Sequence, residues 1–213
     1  MKTSLVPCMT FLKGKNKVIS RETIKSSISE SIELKNKLLN DEKFLEMVVM
    51  SCKVISAALR SGKKLLIAGN GGSAADSQHI AAEFVGRFLM DRRALSAIAL
   101  TTDTSIITAI ANDFGYESVF ARQIEALGEA GDVFLAISTS GNSKNLIKAL
   151  RIAQLSHIST ISLTGMTGSE MEKLSDICIS VPSRLVPRIQ ESHIMIAHII
   201  CDIVEQNLVS KSI

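Results

Sequence analysis

Apolar positions follow two different periods, and the change of period divides the sequence into two parts. From Ser20 to Leu59 the pattern is helical, with apolar residues at every fourth or seventh position. The residues of this stripe are Ile24, Ile28, Ile32 and Leu39. After Gly62, short apolar runs alternate with stretches of helical period, which predicts strands separated by helices.

Five apolar runs are predicted as strands, and the stretches between them as helices. The predicted strands are Lys63–Ala68, Ala97–Leu100, Asp132–Ile137, Ser159–Thr164 and Asp176–Val181. The clearest predicted helices are Ser73–Leu89, one capped by Thr102 or Asp103, Lys144–Gln154 and Pro187–Asn207. Strands that are apolar throughout need cover on both faces, so the fold class is α/β, a doubly wound five-stranded parallel sheet flanked by helices. In such a sheet, ligands bind beyond the carboxyl ends of the strands, where the strand order reverses.

Composition and charge argue against membrane and nucleic-acid partners. The chain has 213 residues, 46% hydrophobic and 21% charged, as expected for a soluble globular protein. Its most apolar stretch, Ile194 to Val204, contains a histidine and an aspartate, and no run reaches the ~18 residues of a membrane span. The net charge is 24 − 21 = +3, and residues 1–17 carry four lysines without an acidic residue, so the remainder is near neutral. With no Trp and one Tyr, a base-stacking surface is not expected either.

The N-terminal lysines also define the expected domain boundaries. We expect residues 1–18 to form a basic, poorly ordered extension and residues 19–213 to form a single domain. A signal peptide is the alternative, but Lys13, Lys15 and Lys17 occupy the place of its small-residue cleavage site. The four cysteines form no C-x-x-C pair, which favours a reducing compartment and therefore the cytoplasm.

Two predicted strands end in loops that could hold an anion at the start of a helix. In Gly69-Asn70-Gly71-Gly72-Ser73, glycines would let backbone N–H groups approach a ligand, although a tight turn capped by Ser73 would give the same pattern. Ser138-Thr139-Ser140-Gly141-Asn142-Ser143 offers four hydroxyls, although hydroxyl-rich helix caps are common without a ligand. The second loop contains no Lys, which favours holding a sugar phosphate over transferring a phosphoryl group. Neither loop matches a nucleotide-binding motif.

Two helices carry side chains suited to acid–base or metal chemistry. His79 and Glu83 are four residues apart on one predicted helix, and Arg87 lies one further turn along that face, where it could meet an anion. An ordinary surface pair is the alternative. On the last helix, Gln190 and His198 are eight residues apart, about 12 Å along the axis, and long side chains could still reach one centre. The alternative for His198 is a histidine satisfied within the core.

Taken together and in this order, the motifs resemble those of the phosphoheptose isomerases, which belong to the sugar-isomerase (SIS) domain superfamily with a flavodoxin-like sheet. The segments Asn112-Asp113-Phe114-Gly115 and Arg188-Ile189-Gln190-Glu191 add to the resemblance, which extends from about Ser20 to Val209. It implies interconversion of sedoheptulose 7-phosphate and D-glycero-D-manno-heptose 7-phosphate, the first step of heptose supply for bacterial lipopolysaccharide or another surface polysaccharide. It also implies a homotetramer with active sites between subunits.

The resemblance further implies roles for individual residues. Glu83 matches the catalytic carboxylate and His198 the catalytic imidazole, while a single Zn²⁺ per subunit would be held by His79, Glu83, Gln190 and His198. The matched sugar- and phosphate-binding positions are Asn70, Gly71, Gly72, Ser73, Arg87, Asn112, Asp113, Ser138, Thr139, Ser140, Ser143 and Gln190. An aldose–ketose isomerisation through an enediol needs a base for a carbon-bound proton and an acid for the carbonyl oxygen, and Glu83 and His198 could supply them.

One segment departs from the family pattern, and two rival functions share the fold. Ser183-Arg184-Leu185-Val186 is more basic and apolar than the family's usual acidic or hydroxyl residues, which affects the expected contacts to the sugar. The rivals are a non-catalytic, protein-binding tetramer of the replication-initiator-associating type and a sugar-phosphate-sensing module. Neither needs an acid and a base facing one site, so the presence of both Glu83 and His198 favours the enzyme.

Overall fold

Five parallel strands form one sheet, in the order β2-β1-β3-β4-β5, as the computed structural model of residues 19–209 shows. The strands are β1 (Leu65–Gly69), β2 (Ala97–Ala99), β3 (Val133–Ser138), β4 (Ser159–Thr164) and β5 (Ile177–Ser180). The helices are α1 (Arg21–Leu39), α2 (Glu42–Arg60), α3 (Gly72–Val85), α4 (Thr104–Phe114), α5 (Ala121–Leu127), α6 (Lys144–Leu155), α7 (Glu170–Leu174) and α8 (Val186–Val209), with a 3₁₀ turn at Tyr116–Ser118. The predicted doubly wound parallel sheet is confirmed. Each predicted strand starts and ends within two residues of the corresponding observed strand. The strand order reverses between β1 and β3, which is where such a sheet binds its ligands.

The sheet has a core on each face because its central strands are apolar at every position. All residues of β1 and β3 are buried. Leu65 and Ile67 pack on one side with residues of α2, α3 and α8, whereas Leu66 and Ala68 pack on the other with residues of α5 and α6. Successive side chains of a strand point to opposite faces, so one short apolar run serves both cores.

The helical region before the sheet is two helices. The Ser20 hydroxyl accepts a hydrogen bond from the backbone N–H of Thr23 at 3.2 Å and caps α1, as predicted. Asp41 caps α2 in the same way, since its side chain accepts a hydrogen bond from the backbone N–H of Phe44 at 3.0 Å. The apolar stripe of α1 (Ile24, Ile28, Ile32 and Leu39) is not covered by the described residues, since its four members are 53–67% exposed.

The predicted helix Ser73–Leu89 is confirmed to within one residue at its start and is wrong at its end. It starts at Gly72, with Gly71 as N-cap at φ +56°, so Ser73 is not the cap. It stops at Val85 because the buried carboxylate of Glu205 accepts hydrogen bonds from the N–H groups of residues 88, 89 and 90, at 2.7–3.0 Å. Those N–H groups are therefore unavailable to the helix. Arg87 lies beyond the helix and is exposed, so its predicted position one turn further on the same helical face is also wrong.

The last helix runs from Val186 to Val209, slightly beyond its predicted ends. Most of its apolar stretch is buried against the sheet and α2. Within residues 19–209, no helix combines the length and the hydropathy needed to cross a bilayer. The predicted basic extension, residues 1–18, lies outside the described residues.

Candidate active site

Two helices bring three of the predicted functional side chains together. His79 and Glu83 lie on α3, with the His79 Nε2 atom 3.4 Å from Glu83 Oε1. His198 on α8 places its Nε2 atom 2.9 Å from that of His79, and the two rings meet edge to face. His198 is half-buried, so it is not the enclosed core histidine that an apolar run alone would suggest.

The chemistry of this group fits a divalent metal. One nitrogen or oxygen from each of His79, Glu83 and His198 lies within 4.8 Å of the other two. Bonds of about 2.0–2.1 Å to a tetrahedral zinc ion place its ligands roughly 3.4 Å apart, so small side-chain movements would suffice. Two imidazoles and one carboxylate are also a common ligand set of catalytic zinc, which leaves a fourth position open.

Gln190, the fourth predicted ligand, lies on α8 eight residues before His198. A Cβ atom added to Gly72 would collide with the Gln190 amide nitrogen, so that amide rests against the first turn of α3. Gly72 precedes His79 by seven residues, about 10 Å along the helix. The Gln190 amide therefore lies beside the glycine loop (residues 69–73), and its predicted role as a ligand of the metal stays a prediction.

Two loops lie side by side at the carboxyl ends of the paired strands β1 and β3. They are the glycine loop (residues 69–73) and the serine loop (residues 138–143). Each begins a helix whose N-cap residue, Gly71 or Ser143, provides no side-chain cap. By contrast, α1, α2, α4 and α7 are all capped by a serine or aspartate side chain. The alternative of an ordinary hydroxyl cap therefore does not describe Ser143.

In the serine loop, the hydroxyl of Ser138 instead contacts two other hydroxyls. The Ser138 oxygen lies 2.9 Å from that of Ser143 and 3.3 Å from that of Ser140. It also accepts a hydrogen bond from the N–H of Gly141 at 3.2 Å. Such a cluster of donors at the start of a helix is suited to a phosphate group.

A cavity of about 360 Å³ opens beside this loop. It is lined in part by Ser183, Arg184 and Val186, which belong to the segment that differs from the family pattern. Thr139 and Ser140 form one side, and Arg184 and Ile189 form another. Arg184 donates through Nε to the sulfur of Met166 at 3.1 Å. Among the described residues, Arg184 is the only basic side chain that lines this cavity, and it belongs to the segment that differs from the family pattern.

The other predicted binding residues are less directly placed. Ser73 is buried in the first turn of α3, beside Asn70, whose carbonyl accepts its N–H at 3.0 Å. Asn112 and Asp113 are exposed at the end of α4, where the Asn112 amide donates to Asp113 at 2.7 Å. Arg87 is exposed after the end of α3.

Sequence reasoning missed two residues that adjoin the His–Glu–His group. The Phe88 ring packs on His198 with centroids 5.5 Å apart. Asp76 lies one turn before His79 on α3, and its Oδ2 atom is buried without a hydrogen-bond partner among the described residues. Burial raises the pKa of Asp76, and the charge of His79 opposes this by a smaller amount. The three-residue spacing from His79 was a usable signal for Asp76, but nothing in the sequence places Phe88.

His193, on α8, belongs to the core. Its ring is 1% exposed, and Nε2 donates to the carbonyl oxygen of Thr164 at 2.9 Å. Burial lowers its pKa to about 4, while the hydrogen bond to Thr164 raises it by less. This imidazole is neutral at physiological pH and stays apart from the chemistry of His198.

Comparisons with known proteins show the family to which this chain belongs. Residues 30–165 match the family model described as "SIS domain". Phosphoheptose isomerase 2 of Campylobacter jejuni is 54% identical over 188 residues, which cover 88% of this chain and 94% of that protein. The solved phosphoheptose isomerases of Neisseria gonorrhoeae and Francisella tularensis superpose with TM-scores of 0.82 and 0.83, at 41% and 36% identity. Both alignments cover 87% of this chain, and 98% and 97% of the respective structures. The chain therefore belongs to the SIS domain family and, within it, to the phosphoheptose isomerases.

Proposed function

We propose that the chain interconverts sedoheptulose 7-phosphate and D-glycero-D-manno-heptose 7-phosphate, an aldose–ketose isomerisation. The observation that carries the proposal is the meeting of one carboxylate and two imidazoles on α3 and α8. This group lies about 10 Å along α3 from a loop built to receive an anion. Its relatives carry the name of this activity.

Glu83 and His198 divide the proton transfers between them. In the ketose-to-aldose direction, the Glu83 carboxylate takes a proton from C1 while His198 gives one to the oxygen on C2, which forms the C1–C2 enediol. Glu83 then returns its proton to C2, and the proton of the C1 hydroxyl goes back to His198. The product carries its carbonyl at C1, and both protein groups regain their starting protonation states.

The phosphate end of the sugar is held by the two loops. The hydroxyls of Ser138, Ser140 and Ser143 already face one another and need little rearrangement to surround a phosphate. The starts of α3 and α6 add partial positive charge from their backbone N–H groups. Gly72 has no side chain, so the Gln190 amide can approach this region.

The site is also suited to Zn²⁺, one ion per subunit. His79, Glu83 and His198 would hold the ion, with Gln190 as the predicted fourth ligand. When bound, zinc would polarise the sugar oxygens as a Lewis acid. The chain's own residues still orient the sugar and move the protons.

We propose a cytoplasmic homotetramer with active sites at subunit interfaces, supplying heptose for lipopolysaccharide or another surface polysaccharide. The exposed Ile24, Ile28 and Ile32 support assembly because they form one apolar stripe on α1. Arg188 lies on α8 two residues before Gln190, and it joins α8 to α1 by donating a hydrogen bond to the carbonyl of Ser27. An interface over α1 would therefore lie close to the proposed site. Light scattering on the purified protein measures the assembly directly.

The two non-catalytic functions are not favoured. A protein-binding module or a sugar-phosphate sensor could use the loops, but would leave Glu83 and His198 without a task. The comparisons also match this chain to isomerases over nearly their whole length.

The test is isomerisation of sedoheptulose 7-phosphate by the purified protein, with zinc supplied and with a chelator added. Glu83→Gln and His198→Asn should each abolish turnover while the fold is retained, because each removes one partner in proton transfer. His157→Asn, in an exposed loop, is the matched control and should keep full activity. Well-folded wild-type protein that shows no turnover with zinc present would contradict the heptose assignment.

A further inference from the structure

Asn70, a predicted substrate-binding residue, has a side chain that is already engaged by two other loops. Its amide nitrogen donates to Asn145 Oδ1 at 3.0 Å, and its amide oxygen accepts from Asn145 Nδ2 at 2.9 Å. The Tyr116 hydroxyl donates to the same oxygen of Asn70 at 3.0 Å. The two amides thus form a reciprocal pair, with the tyrosine as a third member.

This network joins three segments that are distant in the sequence. Asn70 is in the glycine loop after β1, and Asn145 is in the first turn of α6, directly after the serine loop. Tyr116 begins the 3₁₀ turn that follows α4. The links span 75 and 46 residues respectively, so no local turn enforces them.

Burial makes the pair of amides specific. Asn145 is 4% exposed, and its oxygen also accepts the N–H of Leu146 at 3.0 Å. A buried amide left without its partners costs more than the bond itself contributes, so the arrangement strongly favours one geometry. Tyr116, in contrast, is 54% exposed and contributes chiefly through its hydroxyl.

We propose that Asn145 and Tyr116 are positioning residues that fix the distance between the glycine loop and the serine loop through the Asn70 side chain. The proposal rests on the proposed function, in which both loops hold the substrate phosphate. The Asn70 side-chain oxygen then serves the network, since it accepts two hydrogen bonds from the protein, and the loop backbone remains open to the ligand. The phosphate meets a cradle whose two halves are preset, so it does not bear the cost of ordering them.

Such a role predicts a specific kinetic pattern. Phosphate contacts are equally strong in the ground state and the transition state, so loosening the cradle raises KM and leaves kcat nearly unchanged. Losing one hydrogen bond of ordinary strength corresponds to about a three- to tenfold rise in KM. The proton-transfer residues on α3 and α8 are not touched.

The experiment compares Tyr116→Phe, Asn145→Asp and the double variant with the wild type. Tyr116→Phe removes one hydroxyl from an exposed ring, so it tests the proposal even if the buried Asn145→Asp fails to fold. Asn36→Asp makes the same chemical change as Asn145→Asp at an exposed position on α1 and is its control. Steady-state kinetics give KM and kcat, and titration calorimetry with inorganic phosphate gives an affinity that does not depend on turnover.

We expect KM and the dissociation constant of phosphate to rise together in both single variants, with kcat within about twofold and bound zinc unchanged. The double variant should lose less than the product of the single losses, because the two bonds share one acceptor. Folded variants with unchanged KM and phosphate affinity would overturn the proposal, as would a loss confined to kcat. A wild type that binds phosphate but does not isomerise the sugar would instead contradict the proposed function, and the phosphate titrations would still decide the role of the network.

Discussion

Lowering the pH from about 7.5 to 5 should destabilise the folded chain through a single buried side chain, His193. Its ring is 1% exposed, and its Nδ1 atom has no hydrogen-bond partner within the described range. Burial lowers its pKa from 6.5 to about 4. The unfolded chain therefore binds a proton at this residue near pH 6.5, while the folded chain excludes it until pH 4.

The sign and size follow from proton linkage. Between the two pKa values the unfolded state binds more protons, so the contribution to stability is complete above pH 6.5 and is lost as the pH falls. With pKa values of 6.5 and about 4, the loss between pH 7.5 and 5 is about 2 kcal/mol. It approaches about 3 kcal/mol below pH 4. With a typical m-value of about 2 kcal/mol/M, the urea midpoint should fall by about 1 M.

The assay is urea unfolding of the wild type and His193→Gln at several pH values, with a chelator present so that metal binding does not contribute. Glutamine keeps a donor for the Thr164 carbonyl but cannot titrate. The variant should lose about 2 kcal/mol of the wild type's pH dependence. His157→Asn removes an exposed imidazole at φ +57°, a conformation that asparagine tolerates, and should keep the wild-type slope. Equal slopes for the wild type and His193→Gln would refute the reasoning.

Three further substitutions test other parts of the structure. Glu205→Gln should lower the free energy of unfolding, measured in urea, by about 3 kcal/mol, because the buried Arg92 loses its ion-pair partner, which lies at 2.8 Å in the wild type. An unchanged free energy of unfolding would contradict this. Gly72→Ala should fold normally but displace the Gln190 amide, so activity should fall with little change in melting temperature, and full activity would argue against a role for Gln190. Arg184→Gln should raise KM for the phosphorylated sugar several-fold, a loss of about 1 kcal/mol in binding free energy, because it removes the cation that lines the cavity beside the serine loop. An unchanged KM at low salt would exclude a contact between Arg184 and the sugar phosphate.

The sheet could be predicted because its signal is local. Runs such as that of Val133–Ser138 are short, almost continuously apolar and bounded by turns, which favours a strand buried on both faces. The helices α5 and α7 were not predicted, because with seven and five residues they are too short to show a helical period. The end of α3 was misplaced for a different reason. It depends on Glu205, 117 residues from Phe88, and no local pattern contains that contact.

In the candidate site, too, the features with a local sequence signal could be predicted, and those that depend on distant contacts could not. The pair of His79 and Glu83 could be found because four residues on a helix place two side chains on one face. Their meeting with His198 joins positions 119 residues apart, and only the resemblance to a family pointed to it. The Asn70–Asn145 pair had no signal in the sequence, since an asparagine between glycines, such as Asn70, is typical of any turn.

Helix α3 carries the two ends of the proposed site, and this has a consequence for substrate size. Its first turn faces the phosphate loops, and the His–Glu–His group follows about 10 Å later at a fixed helical rise. An open sugar chain with its phosphate on the last carbon must bridge that interval for its carbonyl to reach Glu83 and His198. Shorter sugar phosphates fill the anion end without reaching the proton-transfer end, so they should act as competitive inhibitors and not as substrates. From the proposed site we therefore expect the helix to select substrates by chain length, independently of the stereochemistry of the hydroxyl groups.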